Sequence, residues 1–266
     1  MLKAPLKLAD ARVLLTNDDG IDAPGLAALE DALRGKVRQL VTVAPERNQS
    51  GCGHTVAVAH PIRLRQLSEH RFAVDSTPPD CVIMGVREVM QGVAPDLVIS
   101  GINKGHNIGE YVHYSGTCAA CYEAGLMRLP SIALSQQMAA TGPDDFDCAQ
   151  GWVAQLVERY ISQPWPGDCF ININFPARPS VQVTDVALSR LGRVLQGTGY
   201  IKGKDPRGRD YFWNDWCDDI LQAVDAAADT DIGALARGAI AVTPVAIDQT
   251  DRAALLAMQA ALKVPA

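Results

Sequence analysis

Residues Ala11 to Gly35 read "ARVLLTNDDGIDAPGLAALEDALRG", and this stretch decides how the rest of the chain is read. The apolar run "ARVLLT" is short and bounded by turn residues, the pattern of a buried strand. "APGLAALEDALRG" follows, with Pro24 suited to a first helical turn and Gly35 to the helix end. Strand, turn and helix in that order open a β-α-β unit. The turn holds Asp18 and Asp19 side by side, and two adjacent carboxylates repel each other unless they are solvated, protonated or bridged by a cation.

The same rhythm continues outward. "RQLVTVAP" supplies the next strand, "ERNQSGCGHT" a polar loop, and "VAVAHPIRLRQL" and "RFAVDS" two further strands. In "TPPDCVIMGVREVMQG" Val82, Ile83, Val86, Val89 and Met90 recur at helical spacing, with Thr77 as cap, Pro78 and Pro79 in the first turn and Gly92 at the end. "PDLVISGIN" is a buried strand, "GTCAACYEAGLMRL" a helix, "PSIALS" a strand, Trp152 to Ile161 a helix and "CFININF" a strand. Alternation of this kind predicts a parallel sheet covered by helices on both faces. Beyond Pro176 it stops. "VQVTDVALSRLGRV" and "AIAVTPVAID" read as strands with no clear helix between them, and "RAALLAMQAALK" as a terminal amphipathic helix. The expected division is a core over residues 1–176 that carries the site and an appended β-rich segment over 177–266 that serves oligomerisation.

Bulk properties narrow the classes. The chain has 266 residues, 48% of them hydrophobic and 20% charged, with a net charge of −6. No apolar run approaches the ~18 residues of a membrane span, and Met1 to Asp10 lacks the basic start and apolar core of a secretory signal. A net negative chain without clustered Lys and Arg argues against a nucleic-acid-binding surface. The seven cysteines are odd in number and scattered, which fits reduced thiols and a cytoplasmic location.

Three polar loops follow strand carboxyl ends: "NDDG", "ERNQSG" and "SGINKGHNIGEYVHYSGT". Turn chemistry accounts for any one of them alone. Three on one edge of a parallel sheet are expected to converge on a ligand crevice. Ser50 and Asn103 on the neighbouring loops are oxygen donors, and with Asp18 and Asp19 they make a hard donor set suited to Mg²⁺, Mn²⁺ or Ca²⁺ rather than Zn²⁺. "YSGT" leads directly into a helix, where first-turn N–H groups and the hydroxyls of Ser115 and Thr117 form an anion site, with Lys104 a nearby positive charge. A cation and an anion cradle at one crevice point to phosphate ester chemistry. Cys118 and Cys121 form a C-x-x-C inside a helix with no second pair, so packing is expected of them. His106 and His113 lack metal-type spacing, and neither G-x-G-x-x-G nor a P-loop is present.

The motifs "LLTNDDGIDAPGL", "VAPERNQSG", "STPPDCV", "DLVISGINKGHNIGEYVHYSGTCAACYEA" and "VTPVAID" resemble, in order and spacing from about Arg12 to Asp248, those of the SurE family of stationary-phase survival proteins. The resemblance implies a Rossmann-like α/β three-layer sandwich with a mostly parallel sheet, and a β-rich C-terminal part containing an exchanged element. It implies a 5′/3′-nucleotidase acting on nucleoside monophosphates, with one divalent cation per subunit, Mg²⁺ or Mn²⁺, and assembly as a homodimer or homotetramer. Carried over, the metal ligands fall on Asp18, Asp19, Ser50 and Asn103, the two aspartates also being the catalytic positions. The phosphate contacts fall on Asn107, Ser115, Gly116 and Thr117. The chain departs from the family's common pattern at Ser76, Lys104 and His106, the last two within the site loop, where they bear on substrate preference. Two rivals remain: a nucleotide sensor that binds without turnover, and a metal-dependent deacetylase on a similar sheet, in which a His would stand where this chain has Asn17.

Overall fold

A computed structural model describes residues 5–139, 145–195, 199–215 and 222–262. The opening stretch folds as read: β1 spans Arg12–Thr16 and α1 Pro24–Leu33. Then come β2 (Gln39–Pro45), β3 (Leu64–Ser68), β4 (Arg71–Val74), α2 (Pro78–Met84), β5 (Leu97–Lys104), α3 (Gly116–Leu126), β6 (Ser131–Gln136), α4 (Asp147–Ile161) and β7 (Cys169–Phe175). The later chain adds β8 (Val186–Leu188), β9 (Arg193–Leu195), β10 (Gly199–Lys204), β11 (Asp210–Asp215), β12 (Gln222–Asp225), α5 (Asp231–Ala236), β13 (Ile240–Ala246) and α6 (Arg252–Leu262).

Nine strands form one sheet in the order β3-β4-β2-β1-β5-β6-β7-β13-β8. From β4 to β7 all neighbours run parallel, while β3 is antiparallel to β4 and β13 to β7. β1 lies between β2 and β5, so the chain first builds outward on one side of β1 and then returns to build on the other. Such a reversal opens a crevice at the strand carboxyl ends between β1 and β5.

Each sheet face is covered, which is why the central strands are apolar throughout. Side chains alternate across β1: Val13 and Leu15 join the core packed with Leu26, Leu29 and Val153 of α1 and α4, whereas Leu14 points to the opposite core with Val82 and Ala120 of α2 and α3. A one-residue slip would exchange the two sets. β5 is irregular at Gly101, where the pairing with β6 shifts between Ser100 and Asn103. Gly101 has φ of +137°, and a Cβ there would strike the Leu134 carbonyl, so a side chain is excluded. Beyond the irregularity Asn103 and Lys104 pair with Ser135 and Gln136 of β6, at the carboxyl end of β5.

Three expectations change in detail. Residues 56–63 form no strand; Val58 is 90% exposed, and the Ala57 N–H donates to the Asp80 carboxylate instead of to a neighbouring strand. The helix after Thr77 ends as α-helix at Met84 and continues as a π-turn over Gly85–Val89. A Cβ at Gly85 would lie 2.8 Å from both Leu14 methyls, so the missing side chain lets the helix rest directly on β1. The stretch Val181 to Val194 divides into β8 and β9, because Ser189 donates to the Val242 carbonyl while Gly192 turns away to donate to Asp231. Of the segment after Pro176, β8 and β13 extend the main sheet, whereas β10 and β11 form a separate two-stranded hairpin.

Candidate active site

The turn after β1 is held closed by Asn17, whose side-chain nitrogen donates to Gly20 O at 2.9 Å and whose oxygen accepts from Gly20 N at 3.3 Å. Gly20 has φ of +106°, and its Cα side faces the Arg47 and Asn48 backbone so closely that a Cβ would lie 3.3 Å from Arg47 C. The first loop is thus pressed onto the second. Gln49 N completes the join by donating to the Asp18 carbonyl at 2.7 Å.

Each carboxylate is then gripped from a different direction. Asp18 is 4% exposed, and its Oδ1 accepts the Thr117 hydroxyl at 2.5 Å. Asp19 accepts the Lys104 backbone N–H at 3.3 Å through Oδ2. Burial pushes the Asp18 carboxyl up to about 6; the Thr117 hydroxyl opposes the rise and the Asp19 charge adds to it. A cation beside the pair reverses both unfavourable causes.

Ser50 is exposed in the second loop, its N–H donating to Asn48 Oδ1 at 2.7 Å. Asn103 uses its amide nitrogen on Gly105 O at 2.9 Å and therefore offers its oxygen. Among the described residues no group of three or more His, Cys, Asp and Glu gathers as a metal site. The two aspartates with Ser50 and Asn103 are an all-oxygen donor set, which fits a hard divalent cation with water in the remaining positions.

The anion side is the start of α3. Ser115 is its N-cap, accepting from Cys118 N at 3.1 Å through Oγ, which leaves its hydroxyl proton to donate elsewhere. The N–H groups of Gly116 and Thr117 have no intrahelical acceptor at this position. A Cβ on Gly116 would lie 2.7 Å from Asp18 Cβ and 3.0 Å from both Asp18 Oδ2 and Cys52 Sγ, so only glycine lets the helix start meet the carboxylate. Thr117 is fully buried and gives its hydroxyl proton to Asp18, which makes it a positioning residue for that carboxylate. Asp18, Asp19, Gly116 and Thr117 are in this way brought together, with Ser50 on the loop after β2, Asn103 at the end of β5 next to the Lys104 N–H that binds Asp19, and Ser115 capping the helix.

Asn107 lies deeper. Its N–H donates to Asn174 Oδ1 at 2.8 Å, its side chain donates to Ser135 Oγ at 2.8 Å, and its carbonyl accepts from Asn172 Nδ2 at 2.7 Å. Asn172 and Asn174 therefore suspend the site loop from β7, a role that went unread. Their signal was present: two asparagines two residues apart in an apolar strand, "ININ", share one face. Asp231 was also missed. From the start of α5 it accepts Gly109 N at 2.9 Å, Gly192 N at 2.7 Å and Ile232 N at 2.9 Å, and burial raises its carboxyl above the ordinary value despite these donors.

Cys118 and Cys121 are fully buried in α3, and burial pushes the Cys118 thiol up to about 12, so both stay neutral and pack. His106 stacks on Tyr111 with ring centroids 6.3 Å apart.

Residues 13–197 match the family model of the survival protein SurE. The chain is 43% identical over 247 residues to the 5′-nucleotidase SurE of Rhodospirillum rubrum, covering 92% of this chain and 93% of that one. It is 40% identical over 251 residues to the 5′-nucleotidase SurE of Paramagnetospirillum magneticum, covering 94% and 95%. Among solved structures, the crystal structure of the SurE protein from Aquifex aeolicus superposes with a TM-score of 0.80 at 31% identity, covering 94% of this chain and 99% of that one.

Proposed function

Since the chain belongs to the SurE family, we propose that it is a metal-dependent phosphohydrolase that removes phosphate from nucleoside monophosphates. The observation that carries this reading is the contact of Asp18 with the start of α3: a cation-seeking carboxylate pair and an anion-seeking helix end meet at one point. A phosphomonoester needs both.

Asp18, Asp19, Ser50 and Asn103 would hold Mg²⁺ or Mn²⁺, which supplies polarisation of the phosphoryl oxygens and orientation of a water. The chain's own residues do the rest. The Gly116 and Thr117 N–H groups and the Ser115 hydroxyl donate to the phosphate oxygens, where negative charge is greatest in the transition state. Thr117 fixes Asp18, the Lys104 N–H fixes Asp19, and Asn107, hung from Asn172 and Asn174, sets the path of the loop between β5 and α3. The reading includes a reducing, cytoplasmic setting, in keeping with the six unpaired thiols among the described residues, of which Cys81, Cys118, Cys121 and Cys148 are buried. It also includes assembly as a dimer or tetramer.

The test is phosphate release from a panel of nucleoside monophosphates after chelation. Activity is expected to vanish with the chelator and to return with Mn²⁺ or Mg²⁺, because oxygen donors dominate the site. Restoration by Zn²⁺ alone, or no phosphate release with any ion, defeats the assignment.

A further inference from the structure

We propose that the cleft lined by His54, Val112, His113, Ala119, Tyr122 and Gln249 is the subsite for the nucleobase of the substrate, an inference that rests on the nucleotidase reading above. The cleft, of about 70 Å³, follows the same helix that cradles the phosphate. Ser115, Ala119 and Tyr122 fall at i, i+4 and i+7, one stripe of α3. Ala119 stands one turn, about 6 Å, beyond the phosphate end. A ligand whose phosphate sits at Ser115 thus extends its remaining part along this stripe.

The chemistry of the lining says what that part is. His54 and Tyr122 present nearly parallel rings, 24° apart with centroids separated by 6.1 Å. Tyr122 is braced from behind by an edge contact with Phe170 at 4.9 Å, and His54 by a 2.9 Å contact with Glu123. Gln249 donates to the Tyr122 hydroxyl at 3.5 Å and brings an amide, donor and acceptor together, to the cleft mouth. His113 adds a second imidazole to the lining, from the turn that leads into α3. The exposed His54, His113 and Gln249 offer ring faces and hydrogen-bonding edges, with the buried Tyr122 ring stacked on His54 as its support, while the Glu123 carboxylate beside His54 disfavours an anion. The phosphate therefore goes to the helix start and a flat, uncharged heterocycle to the cleft.

The lining is tied to the catalytic loops. Gly53 N donates to the Tyr114 carbonyl at 3.1 Å, joining the loop that bears Ser50 and His54 to the turn that bears His113 and Ser115. Base and phosphate subsites share these segments, so filling one organises the other.

The experiment compares adenosine and uridine monophosphates with ribose 5-phosphate, which has the phosphate and sugar but no base. His54→Ala and Gln249→Ala alter exposed side chains, and Tyr122→Leu keeps an apolar residue against Phe170. Loss of a stacking partner is expected to lower the ratio of kcat/KM for nucleotide to kcat/KM for ribose 5-phosphate by about tenfold in His54→Ala and Tyr122→Leu, mostly through KM. A ratio within twofold of the parent in all three variants, for both nucleotides, overturns the proposal. Should the parent release phosphate from none of these compounds with Mn²⁺, the nucleotidase reading fails, and the cleft is judged by calorimetric binding of adenosine and uridine. There an approximately tenfold weakening in His54→Ala supports the base subsite; absent or unchanged nucleoside binding overturns it.

Discussion

Asp18 sits where its charge is costly, buried beside another carboxylate, and that is the reason to regard it as a cation ligand rather than a turn residue. Solvation explains an exposed aspartate, not one that is 4% exposed. Asp18→Asn keeps the shape and removes the charge, so Mn²⁺ affinity is expected to fall sharply and kcat by several orders of magnitude. Ser115→Ala should leave Mn²⁺ binding near that of the parent, because its hydroxyl faces the phosphate side. Its effect should appear in kcat/KM as roughly 1 to 3 kcal/mol, the range for a hydrogen bond to a charged group. Calorimetric Mn²⁺ titration of both variants, set beside phosphate-release kinetics, separates the two roles. If Asp18→Asn binds Mn²⁺ as tightly as the parent, the paired carboxylates serve some other purpose.

Elements far apart in sequence hold the site, and Asp231 shows how. It fastens the loop before α3 to the segment before β9 through Gly109 and Gly192. In Asp231→Asn one carboxylate oxygen becomes an N–H group facing an N–H, so one of these ties is lost and kcat/KM should drop while Mn²⁺ affinity holds. Because burial raises the folded-state pKa, the protonated carboxyl is favoured in the fold. Its contribution is full below the ordinary carboxylate range and is lost as pH rises through the raised value. The stability deficit of the variant, measured by urea unfolding, should accordingly be largest near pH 4 and shrink toward pH 7; a deficit that grows with pH contradicts the assignment. What could be read in sequence follows the same division between local and distant. β1, β5 and α3 are legible because an apolar run or a helical stripe is a local pattern, and the loops after β1, β2 and β5 because turn residues are local too. The irregular path of residues 56–63 depends on Asp80 accepting from Ala57, and the burial of Asn107 depends on Asn172, Asn174 and Ser135, none of which is near in sequence. The close approach of Gly85 to Leu14 of β1 is likewise a contact between residues distant in sequence.

At the scale of the whole molecule, two elements of the C-terminal segment lack the packing that elements of their size require. Helix α6 buries none of its residues, and Leu255, Leu256, Met258 and Leu262 are exposed along it. Eleven residues make a helix too short to be stable in water without a packed face. Among the described residues the β10–β11 hairpin pairs only with itself, and it exposes Tyr200, Ile201, Phe212 and Trp213; an isolated two-stranded ribbon is at best marginal. In the proposed dimer or tetramer these surfaces would be covered by a second copy of the chain. The place to cut follows from the sheet. Truncation must fall after Thr250, because β13 is a core strand between β7 and β8 and its removal would unmake the sheet rather than the assembly. Light scattering is expected to give the parent a mass of two or four chains and the truncated chain a lower one. The double variant Leu256→Glu, Met258→Glu, which keeps the full length, should lower the mass in the same way. An unchanged mass in both would place the subunit contacts elsewhere, and a monomeric parent would leave α6 and the hairpin to a partner of a different kind.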